Sequence, residues 1–119
     1  MTVGGIPSIY YGDEQAFTGA KENRIGGDDA IRPPFPDSSD DLAPWGEHVH
    51  RAHQNLIGLR RRHPWLTTAT THTTELTNTR MIYRTTASDG SDHLDIELDL
   101  SDHPHATIRD RHNSVLWTT

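Results

Sequence analysis

Hydrophobic and polar positions alternate most clearly from His93 to Leu100, where Leu94, Ile96, Leu98 and Leu100 are interleaved with Asp95, Glu97 and Asp99. A period of two over seven residues predicts a β-strand with one apolar face and one acidic face. Such a strand belongs in an antiparallel sheet that is wet on one side. Its neighbours read the same way. Thr67–Leu76 is threonine-rich, Arg80–Thr86 leads to a turn at Asp89-Gly90, and Ala106–Arg109 and Val115–Trp117 follow a turn near His103-Pro104. Five strands of this kind predict a small antiparallel sheet or sandwich over residues 65–119.

The period changes upstream. Val49, Ala52, Leu56 and Leu59 recur at helical spacing, and Ile57 widens the stripe. Pro44 suits the first turn, Glu47 sits near the positive end, and Arg60, Arg61 and Arg62 sit near the negative end. Pro64 stops the element, so residues 45–63 form the one clear helix. Before it, only Ile6–Tyr11 is apolar and β-favouring, bounded by Gly5 and Gly12. Asp13 to Ala43 is dense in Gly, Pro and Asp and is expected to lack regular structure.

Composition narrows the chemistry. The 119 residues suffice for one small domain, and 32% hydrophobic content implies a modest core. The formal charge of −6 argues against nucleic acid or an anionic membrane as partner. There is no cysteine, which excludes disulfides and thiolate chemistry. No run of apolar residues is long enough to span a bilayer, and no signal-peptide pattern opens the chain. A cytoplasmic location is the default expectation, unless a leader belongs to a longer parent. Nine histidines make the net charge sensitive to pH between about 5 and 8.

Four constellations merit weighing. Asp13 and Glu14 are adjacent, so on an extended chain they point apart and make a poor acid–nucleophile pair. Asp95, Glu97 and Asp99 offer hard oxygen ligands but are spread along a strand, and a solvated face is the expectation. His48, His50 and His53 lack the i, i+4 spacing of a zinc helix, so no metal site is expected. Arg24, Asp28, Asp29 and Arg32 lie in the irregular stretch, where arginines and carboxylates suit hydrogen bonding to sugar hydroxyls. No cofactor motif is present: Gly26-Gly27 is not followed by a lysine and a helix.

Gly5-Ile6-Pro7-Ser8-Ile9-Tyr10-Tyr11-Gly12-Asp13-Glu14 resembles the segment over the eighth barrel strand of α-amylase-family glycoside hydrolases, a G-x-P-x-I-Y-Y-G-x-E pattern. Asn23-Arg24 through Arg32-Pro33-Pro34-Phe35-Pro36 resembles the loop after that strand. His53 to Leu66 resembles the family's last barrel helix, and Leu98-Asp99-Leu100-Ser101 resembles the L-N-L-S of its C-terminal β-sandwich.

The resemblance implies an α+β fragment. Residues 1–64 would be the last strand, substrate-side loop and last helix of a (β/α)8 barrel, and residues 65–119 a small antiparallel β-sandwich. The family's catalytic carboxylates follow the fourth, fifth and seventh strands, so no residue here inherits a catalytic role. The fragment is expected to be inactive alone. The intact parent would act on α-glucosidic bonds with retention, taking an α-glucan or maltooligosaccharide, and Arg24, Asp28, Asp29 and Arg32 would line the sugar cleft at the barrel's C-terminal face. An orphan barrel strand invites self-association or capture of the missing barrel portion. The alternative is a non-catalytic module that binds glucan or a partner protein, with Trp45, Trp65 and Trp117 as stacking platforms. Their spacing favours core roles for Trp65 and Trp117.

Overall fold

A computed structural model describes every residue from Met1 to Thr119 except Arg32. It is an α+β chain with one α-helix, α1 (Glu47–Arg62), and five strands: β1 (Thr70–Leu76), β2 (Arg80–Thr86), β3 (His93–Asp99), β4 (His105–Asp110) and β5 (Val115–Thr118). The chain divides into two compact units: Met1–Pro7 with Asn55–Thr119, and Ser8–Gln54. The division falls inside α1, which contributes residues to both.

In the first unit the strands pair consecutively and antiparallel, in the order β1-β2-β3-β4-β5. They form one sheet where a two-layered sandwich was also expected. The alternating pattern fixes that each strand has a dry face, and that requirement is met here without a second sheet. Met81, Tyr83 and Thr85 stand opposite Leu98, Ile96 and Leu94, which in turn face Ala106, Ile108 and Asp110. Leu59 from α1 and Leu66 from the short 3₁₀ turn Pro64–Thr67 complete the buried cluster with Tyr83, Leu94, Ile96 and Ile108. Leu56, Trp65 and Trp117 pack around it, half-buried. Both tryptophans therefore serve the core, as their spacing suggested. Ile57, included in the apolar stripe, instead lies exposed.

The wet face of the sheet is a lattice of opposite charges. Arg80 donates to Glu97 at 2.6 and 3.1 Å and to Glu75 at 3.0 Å. Arg84 grips Asp95 with two bonds of 2.7 and 2.8 Å. Asp95 and Glu97 of the acidic row on β3 are thus paired with arginines on β2, while Asp99 accepts from the Ser101 amide at 2.8 Å, and each exposed pair contributes little individually.

The N-terminal segment is tied to this unit by polar contacts. The Thr2 and Tyr83 hydroxyls share a buried 2.6 Å hydrogen bond. Burial pushes the Tyr83 phenol pKa up, and the Thr2 bond offsets part of that shift. The Arg60 guanidinium donates to the carbonyls of Met1 at 2.7 Å, Val3 at 2.9 Å and Gly5. The Gly5 amide donates to the Leu66 carbonyl at 3.2 Å. Removing the guanidinium orphans three acceptors together. Arg60→Ala should therefore cost about 2 kcal/mol and erase exchange protection at the Gly5 amide. An unchanged urea midpoint would show that water replaces the guanidinium freely.

No strand forms over Ile6–Tyr11, contrary to the expectation from its composition. Residues 6–10 have no regular secondary structure, and Asp13–Gln15 is a 3₁₀ turn. β-propensity describes a fit to a sheet surface, and this stretch pairs with no strand of the chain. The result is an exposed apolar run, with Ile6 at 89% of its full accessibility.

Candidate functional site

The second unit is built from short turns. Beyond Asp13–Gln15 it holds the 3₁₀ turns Asp29–Ile31, Ser39–Asp41 and Pro44–Gly46 before α1 begins. The Ser38 hydroxyl caps the Ser39–Asp41 turn by accepting from the Asp40 amide at 3.2 Å, the usual role of a serine at such a position.

Of the four residues expected to meet sugar, three fall in one small exposed loop. Arg24 is held by Glu22 and donates to the Ile25 carbonyl at 3.2 Å. Asp28 pairs with Lys21 at 2.9 Å, and Asp29 opens its 3₁₀ turn. The Glu22 amide donates to the Gly27 carbonyl, and the Gly27 amide to the Arg24 carbonyl. The loop thus closes on itself, with Lys21 paired to Asp28 and Arg24 to Glu22. The fourth residue, Arg32, lies outside the described residues. Asp13 and Glu14 do not converge as a catalytic pair would. Glu14 instead turns back to accept from the Gly12 amide at 3.0 Å, while Asp13 is exposed.

A more concave feature lies next along the chain. The Gly12 backbone has φ +88°, and the Phe17 amide donates to its carbonyl at 3.0 Å. A Cβ at Gly12 would lie 3.0 Å from Cγ of the Phe17 ring and closer still to Cδ2, so glycine alone lets that ring fold back. Phe17 then meets Phe35 with ring centroids 4.8 Å apart, and Phe35 meets Tyr11 at 5.9 Å. These separations suit tilted aromatic pairs. Pro33, Pro34 and Pro36 fix the backbone on either side of Phe35.

Phe17, Phe35 and Trp45 line a cleft of about 340 Å³ with these prolines, and Thr18, Asp41 and the Trp45 indole N–H are its hydrogen-bonding side-chain groups. Trp45 is 61% exposed, unlike the other two tryptophans. Sequence reasoning placed Trp45 among the stacking candidates and missed Phe17 and Phe35. Residues 17, 35 and 45 share no periodicity, and only the Gly12 turn signals that Phe17 folds back.

Two of the three histidines of α1 are engaged in hydrogen bonds. His53 bonds the Val49 carbonyl through Nδ1 at 2.9 Å. His50 lies between two carboxamides, Gln15 at 2.8 Å from Nδ1 and Gln54 at 2.9 Å from Nε2. No group of three or more metal-binding side chains converges among the described residues.

The first unit has a separate polar hollow of about 390 Å³ by His63, Trp65, Asp92, Asp110, Arg111 and His112. Its charges are already engaged. Asp110 accepts from the amides of Ser114 and His112 at 2.8 and 2.9 Å, and the Ser114 amide in particular holds its carboxyl below the usual carboxylate range. Arg111 donates to the Ser91 carbonyl at 2.9 Å and to His112 at 3.0 Å. No helix among the described residues is long and apolar enough to cross a membrane. No family model, curated protein or solved structure matches the chain.

Proposed function

We propose that this chain is the C-terminal segment of an α-amylase-type glycoside hydrolase or glucanotransferase acting on α-glucosidic bonds. Residues 1–64 correspond in this reading to the last strand, substrate-side loop and last helix of a (β/α)8 barrel. The five-stranded sheet corresponds to the family's C-terminal β domain, where relatives carry a sandwich.

One observation carries the reading. Ile6, Ile9, Tyr10 and Tyr11 form a β-favouring apolar run, yet they are exposed and join no strand of the chain. A barrel strand deprived of its parallel neighbours has this character, because its backbone groups and both apolar faces are meant for other elements. The loop that follows supports the same reading. Arg24, Asp28 and Asp29 sit together on the surface, as residues facing a sugar cleft would. The carboxylates that cleave the bond belong to earlier strands, so this segment alone turns over no substrate.

The test supplies the missing neighbours. Mixing the protein with an α-amylase-family barrel lacking its last βα unit should slow amide exchange at Ile9 and Tyr10 and restore hydrolysis of maltoheptaose. Exchange at those two amides that ignores the barrel counts against the proposal. Turnover by the chain alone, tracking the folded protein and surviving Asp13→Ala with Glu14→Ala, defeats it.

A further inference from the structure

We infer that the aromatic cleft of the Ser8–Gln54 unit binds a small organic cation of the quaternary-ammonium class. Three observations converge on that occupant. First, Phe17, Phe35 and Trp45 share the lining, and Trp45 is largely open to solvent. Aromatic faces carry negative electrostatic potential and attract a cation placed over them, tryptophan most strongly.

Second, the charge around the cleft is predominantly negative. Residues 8–54 hold nine acidic and four basic side chains, a formal charge of −5 out of the −6 of the whole chain. Asp41 itself lines the cleft, and its carboxylate forms no ion pair with a described residue. No basic side chain is among the described residues lining it.

Third, the cleft is poor in hydrogen-bonding groups. Among the described residues, Thr18, Asp41 and the Trp45 indole N–H are its only polar side-chain groups, and prolines 33, 34 and 36 remove further backbone donors. A sugar residue presents several hydroxyls that each need a partner on leaving water. A trimethylammonium group has no donor and needs only apolar contact and negative potential. The volume of about 340 Å³ suits such a ligand, at the lower end of small-molecule sites. This cleft is distinct from the Arg24–Asp29 loop, so the inference stands apart from the glycosidase proposal.

Choline, tetramethylammonium and 3,3-dimethylbutan-1-ol, the uncharged isostere of choline, are the probes, followed through the Trp45 indole N–H resonance at constant ionic strength. Both cations should shift that resonance saturably, and the isostere should bind about tenfold more weakly. Asp41→Asn should weaken choline binding several-fold, and added sodium chloride should do the same. In the Trp45 variants the Phe17 and Phe35 ring resonances report instead, and Trp45→Ala should abolish the response. Trp45→Phe, which preserves an aromatic face, should keep most of it and guards against a variant that fails to fold. Equal affinity for choline and its isostere would reduce the cleft to a plain apolar surface and overturn the inference. Saturation by maltoheptaose with no response to choline would also overturn it, in favour of a sugar platform, and would leave the barrel-complementation test unaffected.

Discussion

Leu94→Ala should remove about 3 kcal/mol from the sheet unit, most of its stability in dilute buffer at room temperature. Leu94 is fully buried on the dry face of the central strand β3, opposite Thr85 on one side and Asp110 on the other. Truncation removes most of a buried side chain and leaves a cavity that a sheet cannot easily close, a loss of about 3 kcal/mol. The unit has roughly 70 residues and a buried cluster of six, so its stability is expected near the low end of about 4–10 kcal/mol. The loss is therefore a large fraction of the total. Urea titration followed by circular dichroism and by Trp65 and Trp117 fluorescence measures it. A midpoint that moves only slightly would mean that the cluster repacks around the hole. Leu66, equally buried in the turn after α1, should behave alike.

Gly12→Ala should dismantle the aromatic cleft while sparing the sheet. The positive φ of Gly12 costs an L-residue about 1–2 kcal/mol. The added methyl also overlaps the Phe17 ring, so that ring must leave Phe35. Together these give a penalty of about 3 kcal/mol, borne by a unit without a β-sheet to absorb it. The expected signature is loss of the ring-current shifts of Phe17, Phe35 and Tyr11, with sheet resonances unchanged. Preserved shifts would show that Phe17 can turn aside without releasing its neighbours.

Legibility in the sequence differed by element. The five strands and the helix were readable within a few residues, because each buries one face and so stamps a period of 2 or 3.6 on its hydrophobic positions. The number of layers was not readable. Alternation along β3 says that Leu94, Ile96 and Leu98 turn inward, and is silent on whether a helix or a second sheet meets them. Ile57 shows a similar limit, since a residue at the margin of a stripe is covered only where the neighbouring surface extends to it.

Ile6–Tyr11 illustrates the opposite failure. Its residues have every local property of a strand, and a strand requires a partner that local properties cannot supply. The cleft was largely hidden for a different reason. Phe17, Phe35 and Trp45 come together through irregular turns, where contacts are set by single residues such as Gly12 rather than by a repeating pattern. Arg60 was readable as a cation at a helix C-terminus. That it reaches three carbonyls of residues 1–5 was not.

The position of His50 between Gln15 and Gln54 has a consequence for how the protein registers protons. A neutral imidazole offers one N–H and one lone pair, so one carboxamide must present its oxygen and the other its nitrogen. A protonated ring offers two N–H groups, and both carboxamides must then present oxygen. Both carboxamides stand with Nε2 toward the ring, so a neutral ring needs one of them turned half a rotation about its last bond and a protonated ring needs both. Uncharged amide groups on the Asp13–Gln15 turn and on α1 thus carry a readable copy of the histidine's charge state, written in their orientation.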